Sequence, residues 1–198
     1  MGTIVIDEQF DSWRIMLKNE LSSKRYMHSI GVCNTSACLA MRYGYDIKKA
    51  YAAGLLHDCA KGLSEKKMLQ LTERSGIELS EIERENPELL HAKAGSVVAA
   101  EKYEVNDTEI LDAIRFHTTG RPSMTMLEKI VFTADYIEPS RDGIPCLDEI
   151  RKLAFKDIDA AVAMICKNSI DYLKRKSRMI DPITIETYKY YSTSGKEE

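Results

Sequence analysis

Gly54-Leu55-Leu56-His57-Asp58-Cys59-Ala60-Lys61 places an imidazole and a carboxylate side by side at the end of an apolar run. Burying His57 and Asp58 is costly unless a partner replaces the water that they lose. Because consecutive residues lie about 100° apart around a helix, the two side chains can approach one metal ion from adjacent directions. The alternative is a helix end at which both side chains only face water, and a two-residue motif does not exclude it.

Composition predicts one soluble, cytoplasmic domain. The chain has 198 residues and a net charge of −3, so it lacks the basic balance expected of a nonspecific nucleic-acid binder. A local pocket can still attract a small anion. We see neither a signal peptide nor an apolar run of membrane-spanning length. The five cysteines form no Cys-x-x-Cys pair, which indicates reduced and mostly buried thiols.

Helical periodicity continues along nearly the whole chain, and strand patterns are almost absent. We therefore expect an all-α fold, a single helical bundle over residues 7–191, with a flexible N-terminus at 1–6 and a disordered tail at 192–198. The longest helix is predicted at 23–43. Its expected apolar face carries Ile30, Ala37, Cys38 and Met41.

The four histidines all fall on or at the end of helices that must pack inside the bundle, beside small residues. Together with two aspartates they form a set in chain order: His28, His57, Asp58, His91, His117 and Asp135. One buried histidine bonded to a carbonyl needs no special explanation, but all four together would be a coincidence. The set offers nitrogen and oxygen without thiolate. This chemistry suits iron, manganese, cobalt or zinc and disfavours a structural zinc site.

Arg25 and Gly31 lie about one turn before and after His28 on the predicted helix. A cation and an empty spot beside an imidazole suit an anionic ligand. Arg25 as a solvated charge near the helix start is an equally simple interpretation.

Three further side chains follow the set closely in sequence. Lys61 comes three residues after Asp58, where its ammonium can neutralise phosphate charge. Thr118 stands at a helix-to-loop junction, a common place for active-site groups. Arg141 can fold back towards Asp135. The alternatives are a surface lysine for Lys61, and for Arg141 a surface charge paired with a neighbouring carboxylate.

These pieces resemble the HD-domain metal-dependent phosphohydrolases, and within them the YqeK family, the symmetrical diadenosine tetraphosphate hydrolases of bacteria. The matching pieces are Arg25-Tyr26-Met27-His28-Ser29, His57-Asp58-Cys59-Ala60-Lys61, His91, His117-Thr118-Thr119-Gly120 and Ala134-Asp135-Tyr136-Ile137-Glu138-Pro139-Ser140-Arg141. The resemblance covers the chain from about residue 10 to 191 and implies a helical HD-domain bundle with a metal site between the central helices.

The resemblance also implies a set of ligands. One metal ion, expected to be iron with manganese, cobalt or zinc as alternatives, would be held by four residues: His28, His57, Asp58 and Asp135. His91 and His117 would either bind a second ion, with Asp58 bridging, or hold phosphate directly.

The implied reaction is symmetrical hydrolysis of diadenosine tetraphosphate to two ADP by metal-activated water, with Asp58 and Lys61 in catalytic roles. The expected substrate contacts are Arg25, Gly31, Lys61, Thr118 and Arg141. The alternatives are an HD-family phosphohydrolase acting on another nucleotide, such as a deoxynucleoside triphosphate, a nucleoside monophosphate, a guanosine polyphosphate or a cyclic dinucleotide, and a nucleotide-sensing module without turnover. The partner is a small molecule in the first two cases, with no nucleic acid or membrane, and a homodimer is compatible with the sequence.

Overall fold

The computed structural model describes residues 8–193, and in this part of the chain the secondary structure is helical throughout. The α-helices are α1 (Glu8–Glu20), α2 (Ser23–Tyr43), α3 (Ile47–Leu56), α4 (Glu65–Arg74), α5 (Glu81–Glu85), α6 (His91–Lys102), α7 (Thr108–Arg115), α8 (Met126–Ile137), α9 (Leu147–Ala154), α10 (Ile158–Arg175) and α11 (Pro182–Thr193), and a 3₁₀ helix, Pro87–Leu90, precedes α6. The all-α prediction is confirmed.

The ends of the chain differ slightly from the sequence prediction. Helix α11 continues to Thr193, so residues 192 and 193, which the sequence places in the tail, are the last residues of a helix. The predicted flexible N-terminus and the remainder of the predicted tail lie outside the described residues. Among residues 8–193, no helix is long and apolar enough to cross a membrane.

Helices α2 and α3 pack closely, and their contact decides which face of α2 is buried. A Cβ at Gly54 would lie 2.7 Å from Oγ of Ser36 and 2.9 Å from Cα of Cys33, so only glycine allows this approach. The predicted apolar face of α2 is therefore wrong in part: Met41 is 60% exposed, and Cys38 is exposed as well. The buried residues are His28, Ser29, Val32, Cys33, Ser36, Leu39 and Ala40.

Side-chain caps fix where the central helices begin. Asp46 accepts hydrogen bonds from the backbone N–H groups of Lys48 and Lys49 at the start of α3, and Thr125 forms a capping box with Glu128 at the start of α8. These caps satisfy N–H groups that the helix itself leaves without partners. Helix α3 packs on α2, α7 and α8, and it ends at Leu56, immediately before the His-Asp pair.

Candidate metal centre

Five separate parts of the fold bring the predicted ligands together. The set comprises His28 in α2, His57 and Asp58 after α3, His91 at the start of α6, His117 after α7 and Asp135 in α8. Ligand atoms within 4.8 Å of one another form three overlapping groups: His28, His57 and Asp58; His57, His117 and Asp135; and Asp58, His91 and His117. All six predicted residues therefore share one cluster.

Hydrogen bonds at Nδ1 fix how the histidines face the cluster. Nδ1 of His57 lies 2.8 Å from the carbonyl of Gly54, and Nδ1 of His117 lies 2.7 Å from the carbonyl of Ile114. A carbonyl oxygen can only accept a hydrogen bond, so each Nδ1 carries a proton and donates the hydrogen bond. Each ring then directs Nε2 into the cluster, which is the arrangement that a metal-binding histidine uses.

Asp58 stands between two sides of the cluster. Its Oδ2 lies 3.4 Å from Nε2 of His57 and 3.9 Å from Nε2 of His28. Its Oδ1 lies 3.6 Å from Nε2 of His91 and 3.7 Å from Nε2 of His117. One carboxylate therefore presents a different oxygen to each pair of histidines.

The donor set fits a divalent cation. Oδ1 of Asp58 is buried and has no hydrogen-bond partner among the described residues, although a buried carboxylate oxygen normally has one. Nε2 of His57 lies 3.3 Å from Nε2 of His28. Two ring nitrogens this close need a proton or a metal ion between them, because their lone pairs repel. Nitrogen and carboxylate oxygen are ligands that first-row divalent metals accept.

The electrostatics of the cluster favour positive charge at its centre. Burial opposes ionisation of Asp58, but the nearby charges and hydrogen bonds of His57 and His117 outweigh it and hold the pKa of Asp58 well below its usual range. Burial also disfavours protonation of His28, yet Asp135 and Glu138 raise the pKa of His28. Nε2 of His28 lies 2.9 Å from Oδ1 of Asp135. A proton at Nε2 thus occupies the position that a cation would take.

Glu138 belongs to the site although the sequence analysis gave it no role. Its Oε1 lies 3.1 Å from Nδ1 of His28, and its side chain is 1% exposed. Burial raises the pKa of Glu138, but hydrogen bonds from Ser140 outweigh burial, and the pKa lies below its usual value. Glu138 is therefore ionised and accepts a hydrogen bond from Nδ1 of His28. The signal in the sequence was a carboxylate directly after the apolar helix, three residues beyond Asp135.

Gly31 was expected to leave an empty spot beside His28, and its role as a substrate contact stays a prediction. The position is not an empty spot for an anion, because a Cβ on Gly31 would lie 2.4 Å from Oε2 of Glu138. Gly31 instead leaves room for the carboxylate that holds His28.

The predicted cations lie at the edge of the cluster, and two of them are bonded to its carboxylates. Nη1 of Arg25 lies 2.6 Å from Oδ2 of Asp58. Nη2 of Arg141 lies 2.7 Å from Oδ1 of Asp135, and its Nε donates to the backbone carbonyl of the same residue at 3.0 Å. Both guanidinium groups are more than a third exposed, so they also face solvent at the mouth of the site.

Lys61 and Thr118 are the remaining predicted contacts, and both are exposed. The backbone N–H of Lys61 donates to the carbonyl of Asp58 at 2.9 Å, which keeps the lysine on the same tight turn as the His-Asp pair. Thr118 follows His117 directly.

The turn that carries Glu138 and Arg141 is held from the neighbouring helix. Arg151 of α9 donates to three backbone carbonyls: those of Ile137 at 3.0 Å, Glu138 at 3.1 Å and Arg141 at 3.1 Å. The sequence analysis did not identify Arg151, since an arginine on an amphipathic helix has no local feature that marks such a contact.

Comparison with known proteins finds a matching family and similar chains. The family described as HD domain matches residues 25–140, a segment that contains the whole cluster. The chain is 42% identical over 174 residues to a Bacillus subtilis (strain 168) protein named symmetrical bis(5'-nucleosyl)-tetraphosphatase, over 88% of this chain and 92% of that protein. A Staphylococcus aureus protein of the same name is 36% identical over 183 residues, covering 91% of this chain and 93% of its own length.

A solved structure has the same fold. It is a crystal structure from Clostridium acetobutylicum of a protein described as a predicted HD superfamily hydrolase involved in NAD metabolism. The two structures agree with a TM-score of 0.90 at 41% sequence identity, over 93% of this chain and 97% of the other.

Proposed function

The chain belongs to the HD-domain family, and from this premise we propose that it is a metal-dependent hydrolase that cleaves diadenosine tetraphosphate symmetrically into two ADP. The single observation that carries the proposal is Asp58, a buried carboxylate with one oxygen towards His28 and His57 and the other towards His91 and His117. The names of the similar Bacillus and Staphylococcus proteins support the same substrate class.

The donor groups support a ligand assignment. His28, His57, Asp58 and Asp135 would hold one divalent ion, and His91 and His117 would either hold a second ion together with Asp58 or hold phosphate directly. A divalent ion in such a site supplies Lewis-acid charge and lowers the pKa of water towards ~7. We expect iron, with manganese, cobalt or zinc as alternatives, because the donors are nitrogen and oxygen.

The exposed cations bind and orient the phosphate chain. Arg141 is fixed by Asp135 and offers the remainder of its guanidinium to solvent. Nη1 of Arg25 donates to Oδ2 of Asp58, and the exposed part of this guanidinium can donate to phosphate oxygens. Lys61 lies on the turn of Asp58, where its ammonium can offset charge on the leaving ADP. Positioning and charge neutralisation of this kind supply most of the catalysis in phosphoryl transfer.

A product assay tests the proposal. Protein supplied with ferrous iron, manganese or cobalt in the absence of oxygen is given diadenosine tetraphosphate, and the products are separated by anion exchange. We expect ADP as the sole product. AMP together with ATP would contradict symmetrical attack, and absence of turnover with metal bound would contradict the substrate and direct the assay to other nucleotides.

Asp58→Asn tests the site itself. The variant keeps the shape of the side chain but removes its charge, so we expect turnover to fall by more than the roughly 10- to 100-fold that loss of an outer-shell partner of a metal ligand costs. Asp171→Asn, at a carboxylate of α10 that is 47% exposed and paired with Lys167, is the matched control. Full activity of Asp58→Asn with an unchanged circular dichroism spectrum would contradict the mechanism. The cytoplasmic location, a homodimer and the absence of nucleic-acid partners stay predictions.

A further inference from the structure

Arg121 lies in the loop that joins α7 to α8, four residues after His117. Its Nε donates to Oε2 of Glu128 at 3.1 Å, and its Nη2 donates to Oε1 of the same carboxylate. Two parallel hydrogen bonds of this kind fix both the position and the plane of a guanidinium group. Since the side chain of Glu128 is 0% exposed, Arg121 is held from the buried first turn of α8.

The guanidinium group of Arg121 also contacts the ring of Phe116. Cζ of Arg121 lies 4.5 Å from the centroid of this ring, within the distance of about 6 Å at which a cation and an aromatic face attract each other. Phe116 directly precedes His117. Its N–H donates to the carbonyl of Asp112 and its carbonyl accepts from the N–H of Gly120, both at 2.9 Å. Arg121 therefore packs on the residue whose backbone leads into His117.

We infer that Arg121 is a positioning residue for His117, because it joins the end of α7 to the start of α8 through Phe116 and Glu128. The inference rests on the proposed function, in which His117 holds a second ion or phosphate. Nε2 of His117 lies 3.7 Å from Oδ1 of Asp58. A functional side chain keeps such a geometry to within about 0.5 Å only when the residues behind it are themselves locked by packing and hydrogen bonds.

The same ion pair supports a second ligand. Glu128 and Asp135 are seven residues apart in α8, which is about two turns, so they lie on the same side of the helix. Oε2 of Glu128 also accepts from the backbone N–H of Thr125 at 2.9 Å and so fixes the start of α8. Arg121 thus connects His117, at the end of one helix, with the helix that carries Asp135.

The alternative role for Arg121 is to neutralise a buried carboxylate and nothing else. A buried charge that loses its partner is costly, so removal of Arg121 lowers the free energy of unfolding in either case. The two interpretations differ at His117. Support through Phe116 predicts that this imidazole alone becomes looser, whereas charge neutralisation predicts no selective effect at any residue of the cluster.

His57 provides an internal reference for His117. Nδ1 of His57 donates to the carbonyl of Gly54, three residues before it, and Nδ1 of His117 donates in the same way to the carbonyl of Ile114. Both imidazoles are buried, and only His117 adjoins Phe116 in sequence. Hydrogen exchange of the two Nδ1 protons, followed by NMR in protein loaded with diamagnetic zinc, therefore measures local opening at each ring.

Arg121→Met keeps an unbranched aliphatic side chain and removes the guanidinium group. We expect the Nδ1 proton of His117 to exchange about tenfold faster or more, and that of His57 to change by less than about twofold. Arg121→Lys, which retains a cation, should recover part of the effect. Equal acceleration at both histidines would overturn the inference, because global unfolding opens both rings alike.

The matched control is Arg74→Met. Arg74 forms an ion pair with Glu101 at 2.6 Å between α4 and α6, so the variant removes an arginine from an ion pair without touching the loop after α7. It should leave the exchange of the Nδ1 protons of His57 and His117 unchanged. The same selective acceleration at His117 in Arg74→Met would also overturn the inference.

Phe116→Leu tests the route from Arg121 to His117. Leucine keeps an apolar side chain and leaves the ion pair with Glu128 in place, but it removes the aromatic face. In this background Arg121→Met should accelerate exchange at His117 by less than about threefold, because the two substitutions act on one contact. A full tenfold effect in both backgrounds would contradict the route. If Arg121→Met does not fold, Phe116→Leu alone decides, since it should accelerate exchange at His117 and not at His57.

The two proposals fail in different ways, because hydrogen exchange requires no turnover. If the native protein cleaves no diadenosine tetraphosphate while exchange at His117 responds selectively to Arg121→Met, the proposed function is wrong and the support of His117 by Arg121 stands. If the native protein releases ADP and exchange at His117 does not respond, only the positioning role of Arg121 is wrong.

Discussion

Nδ1 of His28 donates a hydrogen bond to Oε1 of Glu138 at 3.1 Å, across 110 residues of sequence. Glu138 is in turn held by the backbone N–H of Ser140 at 2.8 Å and by the Ser140 hydroxyl. A carboxylate that accepts from the outer nitrogen of a metal-binding histidine fixes its tautomer and makes its inner nitrogen a stronger ligand. Glu138 is therefore a positioning residue for His28.

Glu138→Gln should weaken metal binding. The amide keeps the size of the side chain but loses the charge that strengthens the hydrogen bond to His28, so we expect metal affinity to fall by about 10- to 100-fold. Competition with a chelator of known affinity measures the change. Glu149→Gln, at an exposed carboxylate, is the control, and equal affinity in both variants would contradict the role of Glu138.

Gly31→Ala should also weaken metal binding, because it acts on the position of the Glu138 carboxylate from α2. The added methyl group would lie 2.4 Å from Oε2 of Glu138, so it must displace the carboxylate, although alanine by itself favours the helix by roughly 1 kcal/mol. We expect lower metal affinity without a lower melting temperature for the metal-free protein. Since both substitutions act on one contact, the double variant Gly31→Ala with Glu138→Gln should lose less than the sum of the two losses. If the two losses of metal affinity simply added in the double variant, Gly31 would not act through Glu138.

Arg151→Met should destabilise the turn that carries Glu138 and Arg141. The substitution leaves three backbone carbonyls without their shared donor, and we expect the free energy of unfolding to fall by about 1–3 kcal/mol. Urea denaturation followed by circular dichroism measures this change. Lys152→Met places the same side chain at the adjacent exposed position and should have a small effect. Equal midpoints for the two variants would rule out the role assigned to Arg151.

Alkylation should distinguish two classes of cysteine. Burial raises the pKa of Cys33 to about 11 and that of Cys166 to about 12, and burial together with the charge of Asp58 raises the pKa of Cys59. Because the thiolate is the reactive form, iodoacetamide at pH 8 should modify only the exposed Cys38 and Cys146. Peptide mass spectrometry identifies the sites. All five should react in denaturant, and rapid modification of Cys59 in the native protein would contradict its burial.

The sequence by itself indicated an all-α fold, the long helix at 23–43 and the six residues of the cluster. Periodicity and the apolar run before His57 are local, so they can be read from neighbouring residues. In the tertiary structure His91 and His117, which are far apart in the chain, lie near the same carboxylate as His57.

Only the tertiary structure decided how these residues are held. Glu138 fills the space beside Gly31, and Arg151 reaches three carbonyls of another segment. The burial of small residues on α2, in place of Met41, follows from the close approach of Gly54. Each of these contacts joins residues whose distance depends on how helices pack, and no spacing within one helix specifies that packing.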